Sequence, residues 1–249
     1  IGAHHMHCYA THEQIAFIAD VHLRDDHDPL VDQLAAVLQT LARSVRAIYI
    51  LGDLFDFWIS NDCMQTHQRI LKCILTTSAS CPIYFMPGNR DFLLSSAVCR
   101  RFGMTKIADP FMIQHGLRNI LLTHGDLLCT EDRSYQLFRR IIQSRVLRGL
   151  FAITPRHLLE RITRSSKKAL KQTKQRKTRA SMLANPLTIS RWFSKYRHDV
   201  LIYGHVHAPS HQQADQREIV VLDSWEHQIN YCLLSASGVA LHRDVVEHV

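Results

Sequence analysis

The sequence predicts an α/β fold in which short buried strands alternate with amphipathic helices. Apolar runs of strand length recur along the chain. Between several of them, apolar residues follow helical spacing, as crossover helices on a parallel sheet do. Five of the runs lead into Asp, Asn or His. Because ligands of an open α/β sheet bind beyond the carboxyl ends of its strands, these side chains are expected to meet at one rim as a binuclear metal site.

Length and composition allow one substantial core, with room for an inserted subdomain. The chain has 249 residues, of which 46% are hydrophobic. No apolar stretch approaches the roughly 18 residues that span a bilayer, and no secretory signal is evident, so we expect a cytoplasmic protein. The seven cysteines contain no C-x-x-C pair, which predicts reduced thiols rather than disulfides or a zinc finger.

The net charge of +8 is concentrated in one segment. Residues 133–197 contain eighteen Lys or Arg and one acidic residue, Glu160, which leaves a net charge of −9 on the remainder. This asymmetry favours an anionic partner for the segment, either nucleic acid or an acidic membrane surface. Residues 1–5, with two adjacent histidines before Met6, are expected to be left over from an expression vector, which makes Met6 the expected native start.

The first strand is predicted at residues 15–19, and it ends at the sequence Asp20-Val21-His22. Asp20 and His22 therefore lie where the chain leaves the sheet, as two candidate metal ligands. A crossover helix is expected next, beginning at residue 28 or 29 and ending at residue 42, because its apolar residues recur at helical spacing.

The second strand is predicted at residues 47–51 and runs into Gly52-Asp53. Asp53 is the predicted bridging ligand, because a carboxylate offers two oxygens to two cations. Residues 54–62 are aromatic and acidic. Their aromatic side chains could line a substrate pocket, although Phe55 is expected to belong to the core.

The third strand, at residues 83–86, follows a helix predicted at residues 67–76 and leads into Pro87-Gly88-Asn89-Arg90-Asp91. Asn89 offers an amide oxygen to a metal ion. The guanidinium of Arg90 is suited to a phosphate, and the alternative for Arg90 is a surface salt bridge with Asp91.

A short helix is expected at residues 95–102 and a further strand at residues 119–122. His124 follows that strand and is a metal ligand by position. Asp126, two residues later, is expected to orient a ligand rather than to bind a metal ion.

Residues 134–153 are predicted to form a basic amphipathic helix, which Pro155 ends. Residues 156–178 begin with apolar residues and become an almost continuous basic run. Two interpretations stay open: a helical hairpin packed on the body with solvated lysines, or an inserted lid that meets an anionic lipid at a membrane surface.

The last part of the chain begins with a helix predicted at residues 186–197 and a strand at residues 200–203. His205 and His207 follow this strand, and two histidines at this spacing on an extended turn can point toward one metal cluster. Three antiparallel strands are then expected to close the second sheet of a layered sandwich, at residues 219–222, 231–235 and 239–242.

The ordered motifs D-x-H, G-D, G-N-x-D, H-G-D and G-H-x-H resemble those of the calcineurin-like metallophosphoesterases. The resemblance implies a four-layer α/β/β/α sandwich of two mixed sheets, with a core of residues 6–132 and 186–249 and an inserted basic helical lid of residues 133–185. It also implies two divalent metal ions and a catalytic role for Arg90 and all the metal ligands. One ion would be held by Asp20, His22, Asp53 and His207, and the other by Asp53, Asn89, His124 and His205.

Longer phrases, such as YILGDLFDFWI, GNRDFLL, LLTHGDLLCTEDRSYQLFR and VVLDSW, are similar to the family of UDP-2,3-diacylglucosamine hydrolases of lipid A biosynthesis. This likeness covers nearly the whole chain. It implies that metal-activated water attacks the α-phosphorus of UDP-2,3-diacylglucosamine, giving UMP and 2,3-diacylglucosamine 1-phosphate (lipid X), with Mn²⁺ as the metal. It also implies a peripheral position on the cytoplasmic face of the inner membrane.

The residue at position 90 favours a diphosphate substrate. Generic members of the superfamily have a histidine there, suited to protonating an alkoxide, whereas this chain has Arg90. Cleavage of a diphosphate expels a phosphate, for which a fixed positive charge is more useful than a general acid. The substrate contacts expected from the resemblance are Asn89, Arg90, Asp132, Ser166, Lys171, Lys174 and His205. The chain departs from the family pattern at Ala208, where an arginine is usual.

The sequence also offers three alternative functions. A nucleotide or protein phosphatase is disfavoured by Arg90 and by the amphipathic insertion. A nuclease would bind DNA in a salt-sensitive way, but the insertion lacks obvious aromatic stacking residues, so no nucleic-acid partner is expected. A non-catalytic membrane-surface module would keep its lipid binding in Asp53→Ala, and its parent protein would have no hydrolase activity.

Overall fold

Two mixed β-sheets form the centre of the computed structural model, which describes residues 13–142, 183–226 and 228–245. The strands are β1 (Ile15–Ile18), β2 (Ala47–Leu51), β3 (Ile83–Met86), β4 (Met104–Lys106), β5 (Phe111–His115), β6 (Arg118–Thr123), β7 (Val200–Tyr203), β8 (Ser210–Ala214), β9 (Arg217–Val221), β10 (Gln228–Ser235) and β11 (Gly238–Val245). The helices are α1 (Leu30–Ala42), α2 (Cys63–Thr66), α3 (Gln68–Ser78), α4 (Ser96–Arg101), α5 (Arg133–Ile142) and α6 (Pro186–Tyr196), with a 3₁₀ turn at Asp126–Leu128.

The first sheet has the strand order β11-β10-β1-β2-β3-β4, and the second has the order β5-β6-β7-β9-β8. Strands β1 to β4 are parallel, while β10 is antiparallel to both β1 and β11. In the second sheet β6, β7 and β9 are parallel, and the edge strands β5 and β8 are antiparallel to their neighbours.

Strands β10 and β11 correct one prediction, because they do not close the second sheet. They extend the first sheet beyond β1, with Cys232 of β10 opposite Phe17 of β1. There β10 pairs with the edge of β1 that would otherwise be open, and it buries both of its own faces. Leu233 packs toward the helices, whereas Cys232 and Leu234 pack between the sheets. Strand β9 was also expected to be antiparallel, and it runs parallel to β7.

The alternation of side chains along β1 shows how the layers stack. Ala16 and Ile18 pack toward α1 and α3, whereas Ile15 and Phe17 pack against the second sheet. The outer face of the second sheet is covered in turn by α6, where Phe193 contacts that sheet. The order of layers is therefore helix, sheet, sheet, helix, and the predicted four-layer sandwich is confirmed.

Local sequence accounts for where the helices begin. Ser95 accepts a hydrogen bond from the backbone of Val98 at the start of α4, and Asn185 accepts bonds from Leu187 and Thr188 at the start of α6. Among the aromatic residues after β2, Phe55 is buried in the core, as predicted.

Trp58 also belongs to the buried core. The expectation that its side chain could line a substrate pocket is therefore wrong. Helix α5 begins within the predicted basic insertion, but residues 143–182 of that insertion lie outside the described residues, as do residues 1–5. In the part of the chain that the structure describes, no helix combines the length and hydropathy needed to cross a bilayer.

Candidate metal centre

Polar side chains from both sheets lie together at one rim of the sandwich. Asp20, Asp53 and Asn89 follow β1, β2 and β3 of the first sheet. His124 and His205 follow β6 and β7 of the second sheet. The rim therefore draws its side chains from the carboxyl ends of parallel strands in both sheets.

Asp20, His22 and His207 form the first cluster. Oδ1 of Asp20 lies 3.4 Å from Nε2 of His207 and 3.8 Å from Nε2 of His22. The two Nε2 atoms are 3.4 Å apart. Oδ1 of Asp20 is buried and has no hydrogen-bond partner among the described residues. These donor atoms all lie within 4.8 Å of one another, which is the spacing of ligands around a metal ion.

Asp20, Asp53 and His124 form the second cluster, with the same spacing of donor atoms. Nε2 of His124 lies 3.8 Å from Oδ2 of Asp53. The backbone carbonyl of Leu51 is 2.9 Å from Nδ1 of His124 and holds the ring with Nε2 toward the centre.

Asn89 and His205 lie beside these clusters. With its amide nitrogen turned toward Asp53, Asn89 donates to Oδ1 and Oδ2 at 3.0 and 2.5 Å, and the opposite rotamer presents its oxygen to the same point. The backbone N–H of His205 donates to Oδ2 of Asp20 at 2.6 Å. Its ring stands edge-on to that of His124, with 5.0 Å between the ring centroids.

Two glycines make room for the carboxylates. A Cβ at Gly88 would overlap the carboxylate of Asp53, and a Cβ at Gly204 would overlap the carboxylate of Asp20. Several non-glycine residues of the rim adopt the left-handed region, which costs conformational energy and concentrates at functional sites. These residues are Asp20, His22, Asp53, His205 and His207, with φ between 48° and 67°.

Crowding of buried carboxylates governs the electrostatics of the rim. Burial raises the pKa of Asp53 to about 7. The negative charges of Asp91 and Asp20 also raise this pKa, whereas the positive charge of His124 lowers it. Burial opposes the charged form of His124, but Asp53, Asp20 and two further carboxylates outweigh it and raise the pKa of His124 to about 9. Burial and the neighbouring Arg90 lower the pKa of His22 to about 3.

These features fit divalent cations. The donor set consists of carboxylates, an amide and imidazoles, which suits Mn²⁺ and similar ions. The unpartnered Oδ1 of Asp20 faces two imidazoles, of which His22 is neutral at pH 7 by its lowered pKa. Buried carboxylates repel one another, and bound cations would neutralise their negative charge.

Arg90 lies on the same rim and is not paired with Asp91, which corrects the alternative expectation for it. Its Nη1 forms an ion pair with Asp56, and its Nε lies 3.5 Å from Oδ2 of Asp53. Asp91 is fully buried, and its carboxylate accepts hydrogen bonds from the backbone N–H groups of Gly88 and Leu54, both at 2.8 Å.

Asp126 and Asp132 connect the rim to α5. Oδ2 of Asp126 accepts hydrogen bonds from Tyr135 Oη at 2.8 Å and from Arg139 Nε at 2.6 Å. Asp132 accepts a hydrogen bond from the backbone of Tyr135 at 3.1 Å, at the start of α5. The other substrate contacts expected in the lid lie outside the described residues: Ser166, Lys171 and Lys174.

A family model described as calcineurin-like phosphoesterase matches residues 14–209, which include every side chain of the rim named above. The chain belongs to the calcineurin-like phosphoesterase family. The family predicted from the motifs is thereby confirmed.

Relatives of this calcineurin-like phosphoesterase carry a more specific name, UDP-2,3-diacylglucosamine hydrolase. The protein of that name from Proteus mirabilis (strain HI4320) is 34% identical over 80% of this chain and 84% of its own length. The one from Vibrio vulnificus (strain CMCP6) is 32% identical over 91% of this chain and 96% of its own length. The one from Neisseria gonorrhoeae (strain ATCC 700825 / FA 1090) is 34% identical over 85% of this chain and 89% of its own length.

Sequence reasoning missed three carboxylates of this phosphoesterase. Asp91 was visible in the G-N-x-D motif, but its role as an acceptor of backbone N–H groups was not. Asp56 lies in the acidic stretch after β2, where nothing in the local sequence marks it as the partner of Arg90. Asp109 accepts a hydrogen bond from Thr123 at 2.6 Å beside His124, and no sequence signal points to this contact.

Proposed function

We propose that this chain is a hydrolase that cleaves the pyrophosphate bond of UDP-2,3-diacylglucosamine at the α-phosphorus, giving UMP and 2,3-diacylglucosamine 1-phosphate in lipid A biosynthesis. The observation that carries the proposal is the guanidinium of Arg90 on the rim, next to the carboxylate of Asp53. The shared name of relatives that are 32 to 34% identical over most of the chain supports it.

The chemistry of the leaving group explains the importance of Arg90. Hydrolysis of a diphosphate releases a phosphate group, which leaves without needing a proton at neutral pH. A fixed guanidinium can balance the negative charge that develops on such a group. The side chain of Arg90 is 30% exposed, so a phosphate from solution can reach it.

We propose two divalent ions, Mn²⁺ in both positions, at the two clusters. Such ions, when bound, supply Lewis acidity and lower the pKa of water. The residues that would hold them are Asp20, His22, Asp53, Asn89, His124, His205 and His207.

Hydrogen bonds within the chain orient the residues that would hold the ions. The carbonyl of Leu51 fixes the ring of His124, and the carboxylate of Asp20 fixes the backbone of His205. Asp53 accepts a hydrogen bond from the backbone of Arg90 at 2.9 Å, which ties the loop after β3 to the loop after β2. The rim therefore holds its side chains in place before a substrate arrives.

The basic insertion of residues 133–185 is proposed as a lid that holds acyl chains and meets an anionic membrane surface, on the cytoplasmic face of the inner membrane. Its large excess of positive charge supports this. In α5, Leu137 and Ile141 are 61% and 52% exposed and lie one helical turn apart, as expected of an apolar stripe. Asp132, Ser166, Lys171 and Lys174 are proposed as substrate contacts of the lid.

The test is an assay of UMP release from UDP-2,3-diacylglucosamine by the purified protein with Mn²⁺. We expect release that stops when a chelator is added. Simple phosphomonoesters serve as the comparison substrates. Cleavage of those esters without any UMP release would contradict the proposed substrate while leaving the family assignment intact.

A further inference from the structure

We propose that Asp56 is a positioning residue that holds the guanidinium of Arg90 in its orientation for the diphosphate. This inference rests on the function proposed above. Asp56 is not among the donor atoms of either metal cluster. Its role therefore differs from that of the proposed metal ligands on the same rim.

Two carboxylates fix the plane of the guanidinium. Asp56 forms an ion pair with Nη1 of Arg90, and Oδ2 of Asp53 lies 3.5 Å from Nε. Because Nη1 and Nε lie on different edges of the planar group, contacts at both restrict its rotation. Asp53 also faces His124 and Asn89, whereas Asp56 pairs with Arg90 and is not a donor of either cluster.

The backbone around this pair is fixed on both sides. The N–H of Asp56 donates to the carbonyl of Leu23 at 2.9 Å, and the N–H of Trp58 donates to the carbonyl of Arg90 at 3.1 Å. Asp56 is therefore held between the loop after β1 and the loop after β3. A short side chain on such a backbone can place its carboxylate in only a narrow range of positions.

The guanidinium still has a donor to offer. Nη2 of Arg90 makes no hydrogen bond to any residue that the structure describes, whereas Nε and Nη1 face carboxylates. The side chains of Arg90 and Asp56 are 30% and 24% exposed, so the pair stands at the entrance to the rim. Asp56 thus leaves Nη2 available to a phosphoryl oxygen while it prevents the long side chain from turning into solvent.

Preorganisation is the physical benefit of this arrangement. An arginine side chain has several rotatable bonds, and ordering it during binding would cost entropy that the substrate would have to offset. Misplacement of a charge that stabilises a leaving group lowers the rate of the chemical step. Loss of Asp56 is therefore expected to affect turnover of the diphosphate substrate and not the binding of metal.

The test compares Asp56→Asn with the matched control Asp62→Asn, which removes the same charge from an exposed position in the same loop. With UDP-2,3-diacylglucosamine and Mn²⁺, we expect Asp56→Asn to lower kcat/KM on the order of 10-fold. The control should retain the wild-type value. Both variants should keep the wild-type Mn²⁺ affinity, measured by titration calorimetry, and the wild-type melting temperature.

A double variant separates positioning from a general structural effect. In an Arg90→Gln background, Asp56→Asn should cause no further loss of kcat/KM, because the group that it positions is absent. An unchanged or increased kcat/KM in Asp56→Asn would overturn the proposal, and so would an equal loss in the Arg90→Gln background. Absence of UMP release by the wild-type protein would instead overturn the proposed function and the role of Asp56 together.

Discussion

Arg90 is the proposed source of positive charge for the leaving phosphate, and its exchange for histidine gives a prediction at the scale of one residue. In Arg90→His, we expect UMP release from the diphosphate to fall at least about 10-fold, because an imidazole is protonated for only part of the time near neutral pH and so balances less charge on the leaving phosphate. Cleavage of an alkyl phosphomonoester should rise, since its alkoxide leaving group benefits from a general acid. Steady-state kinetics on both substrates measures the change.

Arg90→Gln is the matched control for this exchange, because it removes the positive charge without adding a titratable group. It should lose activity on the diphosphate and gain none on the alkyl ester. If Arg90→Gln and Arg90→His gained equal activity on the ester, the argument from the leaving group would be wrong.

His67 gives a prediction about pH. It is buried beside Phe55 and Trp58, with 4.5 and 6.0 Å between ring centroids. Burial lowers the pKa of His67 to about 4, and nearby carboxylates oppose this shift only in part. Since its pKa in the unfolded chain is about 6.5, the unfolded state binds the proton first as pH falls, and stability is lost between pH 6.5 and pH 4.

We expect the wild-type free energy of unfolding to fall by about 2 kcal/mol more than that of His67→Phe between pH 6.5 and pH 5. Phenylalanine suits this site because Nδ1 of His67 has no hydrogen-bond partner among the described residues. Urea denaturation at both pH values measures the difference. Parallel losses in the two proteins would show that His67 does not cause the acid sensitivity.

At the scale of the element, the half-buried guanidinium of Arg139 ties α5 to two buried carboxylates of the rim. Nε of Arg139 donates to Asp126 at 2.6 Å, and Nη2 lies 3.5 Å from Asp109. Burial raises the pKa of Asp109, as does repulsion from Asp126, so the two carboxylates depend on the shared arginine. Arg139→Gln is expected to cost about 3 kcal/mol of unfolding free energy, because it leaves buried charge uncompensated.

Chemical denaturation measures this cost, with Arg140→Gln as the control from the exposed side of the same helix. Adding Asp109→Asn to Arg139→Gln should recover part of the loss, because it removes one of the two uncompensated carboxylates. A cost that is equal in the Arg139 and Arg140 variants would contradict the structural role of this contact.

Among the strands, the ones most directly predicted from the sequence are buried and parallel. Strands β1, β2, β3 and β7 are apolar runs covered on both faces, so each could be located from its own residues. The edge strands β5 and β8 expose alternate or most of their residues, so neither forms the continuous buried run of the central strands. The placement of β10 beside β1 depends on which sheet edge is free, which no local pattern encodes.

The same distinction applies to the site. His124 and His205 could be proposed as rim residues because each lies just after an apolar run. Asp56 and Asp109 could not, because their partners are 34 and 30 residues away along the chain. Their roles follow from tertiary contacts rather than from motif spacing.

At the scale of the whole molecule, the rim contains buried carboxylates whose mutual repulsion opposes folding. Asp20, Asp53 and Asp91 are all buried at the junction of the two sheets, and their charges repel one another. In Asp53→Asn, we expect the metal-free protein to unfold with an equal or higher free energy than the metal-free wild type. The amide keeps an oxygen that can accept the hydrogen bond from the backbone of Arg90 while it removes one buried charge.

Addition of Mn²⁺ should reverse this order. A ligand that binds only the folded state stabilises the wild type by about 2.7 kcal/mol at a concentration 100 times its dissociation constant, and Asp53→Asn should gain far less. Melting temperatures with Mn²⁺ and with a chelator measure both effects, with Asp62→Asn as an exposed control. The charge of the cations is expected to neutralise the buried carboxylate of Asp53 at the junction of the sheets. An equal Mn²⁺-induced rise in melting temperature in wild type and Asp53→Asn would therefore mean that the cations bind elsewhere.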